Sequence, residues 1–156
     1  MKLLKKILLP VNPDYHTLYS LEFAMKLAKL YQSELILIHI MDEEVEFNSV
    51  KENALSLAKD HIKKVKARMK SNGLKVGDPI IEYGNHFDRI TITALKHDVN
   101  VILFGVRKSI PLGVNTLNLT IEKVIRHSDK PVWVVHEGDT DNIRNILLFS
   151  LTGTCG

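Results

Sequence analysis

The chain has 156 residues, of which 45% are hydrophobic and 25% are charged, a composition that predicts one globular domain with a real core. The net charge of +3 is mild and does not indicate nucleic-acid binding, and no stretch approaches the roughly 20 apolar residues of a membrane span. Cys155 is the only cysteine, which excludes an intramolecular disulfide and thiolate metal clusters and favours a reducing cytoplasm.

Short apolar runs alternate with amphipathic stretches along most of the chain, a pattern typical of alternating strands and helices. In chain order the predicted elements are a strand at Lys5–Pro10, a helix from Asp14 or Thr17 to about Tyr31, a strand at Glu34–Ile40, a helix from about Val50 to Met69, a strand at Pro79–Tyr83, a helix from about Phe87 to His97, a strand at Val101–Phe104, a helix from about Asn118 to His127, and a strand at Val132–His136. Apolar spacing within the helices predicts that Leu57 and Leu95 face the core.

This order predicts an α/β fold with an open five-stranded parallel sheet and helices on both faces. Right-handed crossovers restrict the topology and favour the strand order 3-2-1-4-5, in which the first and fourth strands are neighbours. The loops at residues 10–15 and 105–118 then face one another across a crevice at the carboxyl edge of the sheet. Ligands bind at that edge in folds of this kind.

Residues 1–137 form the predicted α/β domain, and residues 138–156 a linker followed by a C-terminal strand or tail. Arg144–Leu148 (RNILL) resembles Lys5–Leu9 (KKILL). Two interpretations stay open: an extra edge or swapped strand, or the start of a second copy of the domain in a tandem protein. Five matched positions favour the edge or swapped strand.

Several ordered pieces together resemble the universal stress protein family over residues 3–137. The pieces are KKILLPV, SLEFAMKLAKLYQSELILIHIMDE, a long second helix, YGNHFDRITITALKHDVNVILFG and IRHSDKPVWVV. The resemblance implies a five-stranded parallel sheet, homodimers formed through the last strand, and a role in stress physiology without known catalysis. One branch of this family binds ATP and another does not.

In the ATP-binding branch, a motif of three glycines followed by Ser or Thr extends from the end of the fourth strand. Glycines let backbone amides approach phosphates, and the hydroxyl sits at a helix amino terminus where anions are stabilised. Gly105 matches the first glycine of this motif, whereas Lys108 replaces the second and Asn118 the third. Leu119 stands at the hydroxyl position, so one of the four motif positions survives.

Two further positions bear on nucleotide binding. Asn12 replaces the aspartate that usually follows the first strand, and Ile40 occupies the position that packs against adenine. The resemblance therefore implies that no cofactor is bound, with weak ATP or AMP binding as the alternative. If a nucleotide binds, its expected contacts are Pro10, Val11, Asn12, Ile40, Phe104, Gly105, Lys108, Asn118, Leu119 and Thr120.

The sequence gives little support for a metal site or for a catalytic site. The seven histidines are scattered without ligand spacing, and neither a nucleophile elbow nor any other catalytic set is present. The acidic residues of segment 42–46 form either a magnesium site beside a nucleotide or a solvated loop, and the loop is favoured. An adenylyl- or phosphoryl-transfer enzyme rests on fold analogy alone.

The sequence thus predicts a cytoplasmic, non-enzymatic stress-response module that acts through homodimerisation and protein contacts, without nucleic-acid or membrane partners. The competing hypothesis is an ATP- or AMP-binding regulatory switch that uses the crevice between the first and fourth strands.

Overall fold

The computed structural model describes residues 4–12, 18–42, 49–106 and 116–136. Within these ranges, strands and helices alternate along the chain except at one point, where two strands follow one another. The elements are β1 (Lys6–Pro10), α1 (Leu18–Tyr31), β2 (Glu34–Met41), α2 (Ser49–Ser71), β3 (Lys75–Val76), β4 (Ile80–Tyr83), α3 (His86–Lys96), β5 (Val101–Val106), α4 (Thr116–His127) and β6 (Val132–His136). The predicted helix cap at Asp14 or Thr17 and the predicted C-terminal segment 138–156 lie outside the described residues.

The strands form one parallel sheet in the order β3-β2-β1-β5-β6, and β4 also pairs with β2. The predicted α/β class and parallel sheet are confirmed. The order differs from the prediction in one detail, because the two-residue strand β3 pairs with the start of β2 while β4 pairs with its end. Two residues are too few to produce a periodic apolar pattern, so β3 had no signal in the sequence.

The two faces of the sheet carry separate hydrophobic clusters, as expected for a parallel sheet covered on both sides. Ile7 and Leu9 of β1 pack with residues of α1 and α2, whereas Leu8 packs with residues of α3 and α4. The largest fully buried side chains include Phe23 on the first face and Phe104 on the second. Because successive side chains alternate across a strand, β1 contributes to both clusters.

Two helix positions differ from the predicted core. Leu57 of α2 is 63% exposed and Leu95 of α3 is 62% exposed, although both were expected to face inward. Each stands directly beside a buried alanine, Ala58 or Ala94. One residue is about 100° of rotation around a helix, so both leucines lie past the margin of the buried stripe.

A side-chain amide anchors β1 at the amino edge of the sheet. The Asn100 Oδ1 accepts hydrogen bonds from the backbone N–H groups of Lys5 and Lys6, at 2.8 Å and 2.9 Å. The Asn100 N–H in turn donates to the Lys6 carbonyl at 2.9 Å. These bonds hold the start of β1 against the residue that precedes β5.

An ion pair links the end of α3 to the turn before β6, and it gives a first prediction. Lys130 Nζ donates to the Asp98 carboxylate, and this hydrogen bond, together with the positive charge of Lys130, lowers the pKa of Asp98. A lowered folded-state pKa means that the stabilisation is present above the ordinary carboxyl pKa and is lost as the pH falls through the folded value. We therefore expect Asp98→Asn to lower the melting temperature slightly at pH 7, and this difference to shrink below about pH 4 in thermal scans. A difference independent of pH would contradict the assignment.

Candidate functional site

The carboxyl ends of β1, β2 and β5 meet at one edge of the sheet. β1 lies between β2 and β5. The strands that follow β1 in the chain therefore lie on one side of it up to β4 and on its other side from β5 onward. In open α/β sheets such a change of side leaves a crevice outside the strand ends, and ligands bind there. The structure thus brings the predicted site residues Pro10, Val11 and Asn12 beside Ile40 of β2, with Phe104 and Gly105 on the neighbouring β5.

Asn12 lies just after β1 at this edge, and its side chain is hydrogen-bonded to the main chain of β2. Its Nδ2 donates to the Ile40 carbonyl at 2.7 Å, and its Oδ1 accepts from the Ile40 N–H at 2.8 Å. Just before it, the Val11 N–H donates to the Ile38 carbonyl at 2.8 Å. The Asn12 amide therefore acts as one more peptide group and extends the β1–β2 hydrogen-bond ladder.

This pairing needs an amide. An aspartate could accept from the Ile40 N–H but could donate to the Ile40 carbonyl only when protonated. Asn12 is 8% exposed, so an ionised carboxylate there would face a carbonyl oxygen with little water to screen it. Asn12, one of the residues that depart from the ATP-binding pattern, is thus matched to the main chain of β2.

The other described residues of the predicted site in or next to the strands are buried. Pro10 and Gly105 are buried, Val11 and Phe104 are fully buried, and Ile40 is 1% exposed. The side chains of Val11, Ile40 and Phe104 are members of the two hydrophobic clusters. These positions shape the base of the crevice and contribute no charged group to it.

α4 begins at Thr116, two residues before the predicted start. Asn118 and Leu119 are therefore the third and fourth residues of the helix. Leu119 is 62% exposed, and Thr120 is half-buried. Lys108 and the side chain of Asn118 lie outside what the structure describes. A helix amino terminus favours anions through its backbone N–H groups, but Leu119 adds no hydroxyl donor to this one.

One pair of side chains at the same edge was missed by the sequence analysis. His86 Nε2 lies 3.3 Å from the carboxylate of Asp42, which is 73% exposed. Asp42 follows β2 and His86 begins α3 after β4, and the register pairs Met41 with Tyr83 at the ends of those two strands. The predicted strand order already makes the second and third predicted strands parallel neighbours, but apolar strands do not reveal the register that places Met41 beside Tyr83.

The described residues contain neither a candidate metal-binding group nor a candidate membrane-spanning helix. Within residues 4–12, 18–42, 49–106 and 116–136, no group of three or more His, Cys, Asp or Glu side chains could hold a metal ion. None of the helices described there has the length and the apolar composition that crossing a bilayer requires.

Comparison with known proteins assigns the family. The model of the universal stress protein family matches residues 4–136. The chain belongs to the universal stress protein family. The family predicted from the ordered sequence pieces is thus confirmed, together with its α/β fold.

This chain is similar to one relative both in sequence and in structure. Universal stress protein MJ0577 of Methanocaldococcus jannaschii is 28% identical over 153 residues, covering 84% of this chain and 94% of the relative. The solved structure of MJ0577 has a TM-score of 0.72 at 29% identity and covers 86% of this chain and 97% of its own. These values support both the family and the fold.

Two solved relatives of lower identity contain a nucleotide. A universal stress protein in complex with cAMP has a TM-score of 0.64 at 14% identity and covers 85% of this chain and 97% of its own. The universal stress protein from Archaeoglobus fulgidus in complex with dAMP has a TM-score of 0.62 at 16% identity, with coverages of 83% and 96%. At these identities the likeness concerns the fold alone.

Proposed function

We propose that this universal stress protein is a non-enzymatic, cytoplasmic stress-response module that acts through dimerisation and protein contacts, with nucleotide binding lost or weak. The observation that carries the proposal is the pairing of Asn12 with the main chain of Ile40. Backbone N–H and C=O groups at the mouth of a pocket are among the few polar groups that orient a bound small molecule. At Ile40 both groups are already bonded within the protein.

Two further features support weak binding. The described strand residues at the base of the crevice are buried and uncharged, and Leu119 supplies no hydroxyl in the first turns of α4. A phosphate at this helix terminus would have backbone N–H groups but no side-chain donor from that position. Because a small ligand depends on a few well-placed polar groups for its affinity, their loss weakens binding.

Calorimetric titration with ATP, ADP and AMP tests this proposal. We expect no saturable heat and no concentration-dependent rise in melting temperature at ligand concentrations up to about 1 mM. The double variant Asn118→Gly with Leu119→Ser restores two positions of the phosphate motif and serves as the matched comparison. Saturable binding of any of the three nucleotides to the native protein in this range would overturn the proposal.

An adenine-nucleotide switch is the second candidate, and the relatives solved with cAMP and dAMP favour it. In this chain the candidate binding place is the crevice between the carboxyl ends of β1 and β5. The same titration separates the two candidates. In the switch hypothesis the nucleotide contacts Pro10, Val11, Asn12, Ile40, Phe104, Gly105, Lys108, Asn118, Leu119 and Thr120.

The proposed dimer uses the outer edge of β6. Within the described residues, β6 pairs with β5 alone, and Val132, Trp133 and Val134 are each only partly buried. An edge strand with apolar side chains is a ready template for pairing with a second chain. In this proposal residues 1–137 form the domain, and segment 138–156 provides the linker and an additional edge or swapped strand.

We expect sedimentation to give twice the chain mass of 17.7 kDa at micromolar concentration. A lysine on an edge strand opposes edge-to-edge pairing, so Val134→Lys should shift the protein towards the monomer. Leu95→Lys, on the exposed side of α3, is the matched control and should leave the dimer intact. A native protein that sediments as a monomer would contradict this assignment.

A further inference from the structure

A second concave surface lies at the amino edge of the sheet, at the opposite end of the strands from the crevice. It is a groove between α1 and the C-terminal end of α2. Two adjoining cavities of about 240 Å³ and 180 Å³ share the lining residues Lys29, Asn72 and Leu74. We call this continuous feature the α1–α2 groove. It is formed by residues of α1, α2 and the turn that leads to β3.

The α1–α2 groove is strongly cationic for its size. Its lining includes Lys26, Lys29, Arg68 and Lys75, and the one carboxylate among its described lining residues is Glu22. Arg68 lies 3.5 Å from that carboxylate, with both side chains about two-fifths exposed. The three lysines are exposed. A net excess of positive charge therefore faces any ligand in the groove, which favours an anionic one.

The floor of the α1–α2 groove is aliphatic. Met25 and Leu74 are partly buried and pack against the core cluster, and Ala28 beside them is 1% exposed. None of the described lining residues is aromatic. Single-stranded nucleic acids depend on aromatic platforms for stacking as well as on positive charge. The composition therefore favours an occupant that combines carboxylates with aliphatic side chains over a nucleic acid.

The dimensions of the groove suit an extended chain. The lining residues of α1 run from Glu22 to Lys29, which is about 10 Å of helix. Three or four extended residues cover that distance at about 3.3 Å each. We propose that the α1–α2 groove binds an acidic peptide segment of a partner protein, with its carboxylates on Lys26, Lys29 and Lys75 and an aliphatic side chain over Met25 and Leu74.

The proposed function includes contacts with other proteins, and this inference specifies what kind of protein segment makes one such contact. To that extent the inference rests on the proposed function. The groove uses neither the crevice residues nor β6. The binding experiment therefore involves no nucleotide and no change of oligomeric state. If the peptide does not bind in the groove, the nucleotide titration and the sedimentation experiment still test the proposed function. If either of those two experiments contradicts the proposed function, the peptide-binding experiment still tests the groove.

Fluorescence anisotropy with a fluorescein-labelled peptide of alternating glutamate and leucine tests the proposal on the full chain. The key variant is Lys26→Glu with Lys29→Glu, which reverses two charges inside the groove. The matched control is Lys63→Glu with Lys64→Glu, which makes the same change in net charge at exposed positions of α2 that do not line the groove. All four lysines are exposed, so both variants should retain the native circular dichroism spectrum.

We expect the groove variant to bind the peptide at least about tenfold more weakly than the native protein, and the control variant to bind within about twofold. Added salt should weaken native binding, and a peptide with serine in place of leucine should bind more weakly. Equal losses in the two variants would overturn the proposal, because they would indicate attraction by net charge alone. It would also be overturned by an absence of peptide binding, or by tighter binding of a single-stranded oligonucleotide of equal charge that the groove variant abolishes.

Discussion

Asn12→Asp is expected to lower the free energy of unfolding by about 2–3 kcal/mol at pH 7. The substitution keeps the size of the side chain but replaces the Nδ2 donor with a carboxylate oxygen. That oxygen would lie against the Ile40 carbonyl, which Asn12 now contacts at 2.7 Å in a buried position. Two acceptors at this distance repel each other, and the carbonyl loses its hydrogen bond. Urea denaturation monitored by circular dichroism measures the loss.

The pH dependence identifies the cause of that loss. A protonated carboxyl can donate to the Ile40 carbonyl, so the native fold raises the pKa of the introduced group, and stability falls as the pH rises from about 4. Asn12→Ala removes both hydrogen bonds without adding a charge, and its destabilisation of about 1–3 kcal/mol should not depend on pH in this way. An Asn12→Asp variant as stable as the native protein at pH 7 would show that the amide pairing is unimportant.

Leu9→Ala should destabilise the fold by about 2–5 kcal/mol. Leu9 lies on the central strand β1, is fully buried and packs in the cluster beneath α1 and α2. Its truncation removes apolar contacts and leaves a cavity between the sheet and the helices. A central strand has neighbours on both sides, so the surrounding backbone has little freedom to close that cavity.

Leu57→Ala is the matched comparison, because it makes the same chemical change at a position that is 63% exposed. Its effect should stay within about 0.5 kcal/mol, and alanine's higher helix propensity offsets part of it. Thermal and urea unfolding of the two variants side by side measure the difference. Similar losses in both would mean that α2 extends its contacts to Leu57, contrary to the structure.

The fold was largely predictable because the buried faces of its strands and helices produce regular apolar patterns in the sequence. Glu34–Met41 is apolar on both faces, and this pattern indicates a central parallel strand without any knowledge of its neighbours. It was less predictable which residues lie at the border between the buried and the exposed face of each helix. Leu57 and Leu95 have helical spacing but lie just outside the buried stripe. An exposed leucine costs little free energy, so a sequence does not have to avoid it.

The candidate site was predictable in its position and less so in its chemistry. The strand order alone places Pro10, Val11 and Gly105 at the carboxyl edge. The pairing of Asn12 with Ile40 depends on the residue-by-residue register of β1 against β2, and apolar runs on both strands give no indication of that register. The α1–α2 groove was also missed, because Lys26 and Arg68 are 42 positions apart and meet only when two helices pack together.

The place of β1 in the sheet has a consequence for synthesis on the ribosome. β1 leaves the ribosome well before β5, which is one of its two neighbours and pairs Val101 with Ile7. Chains emerge from the amino terminus at about 5–20 residues per second. For several seconds of translation, therefore, one side of this buried strand has no native neighbour, and its unpaired edge is open to wrong pairing until β5 has been made.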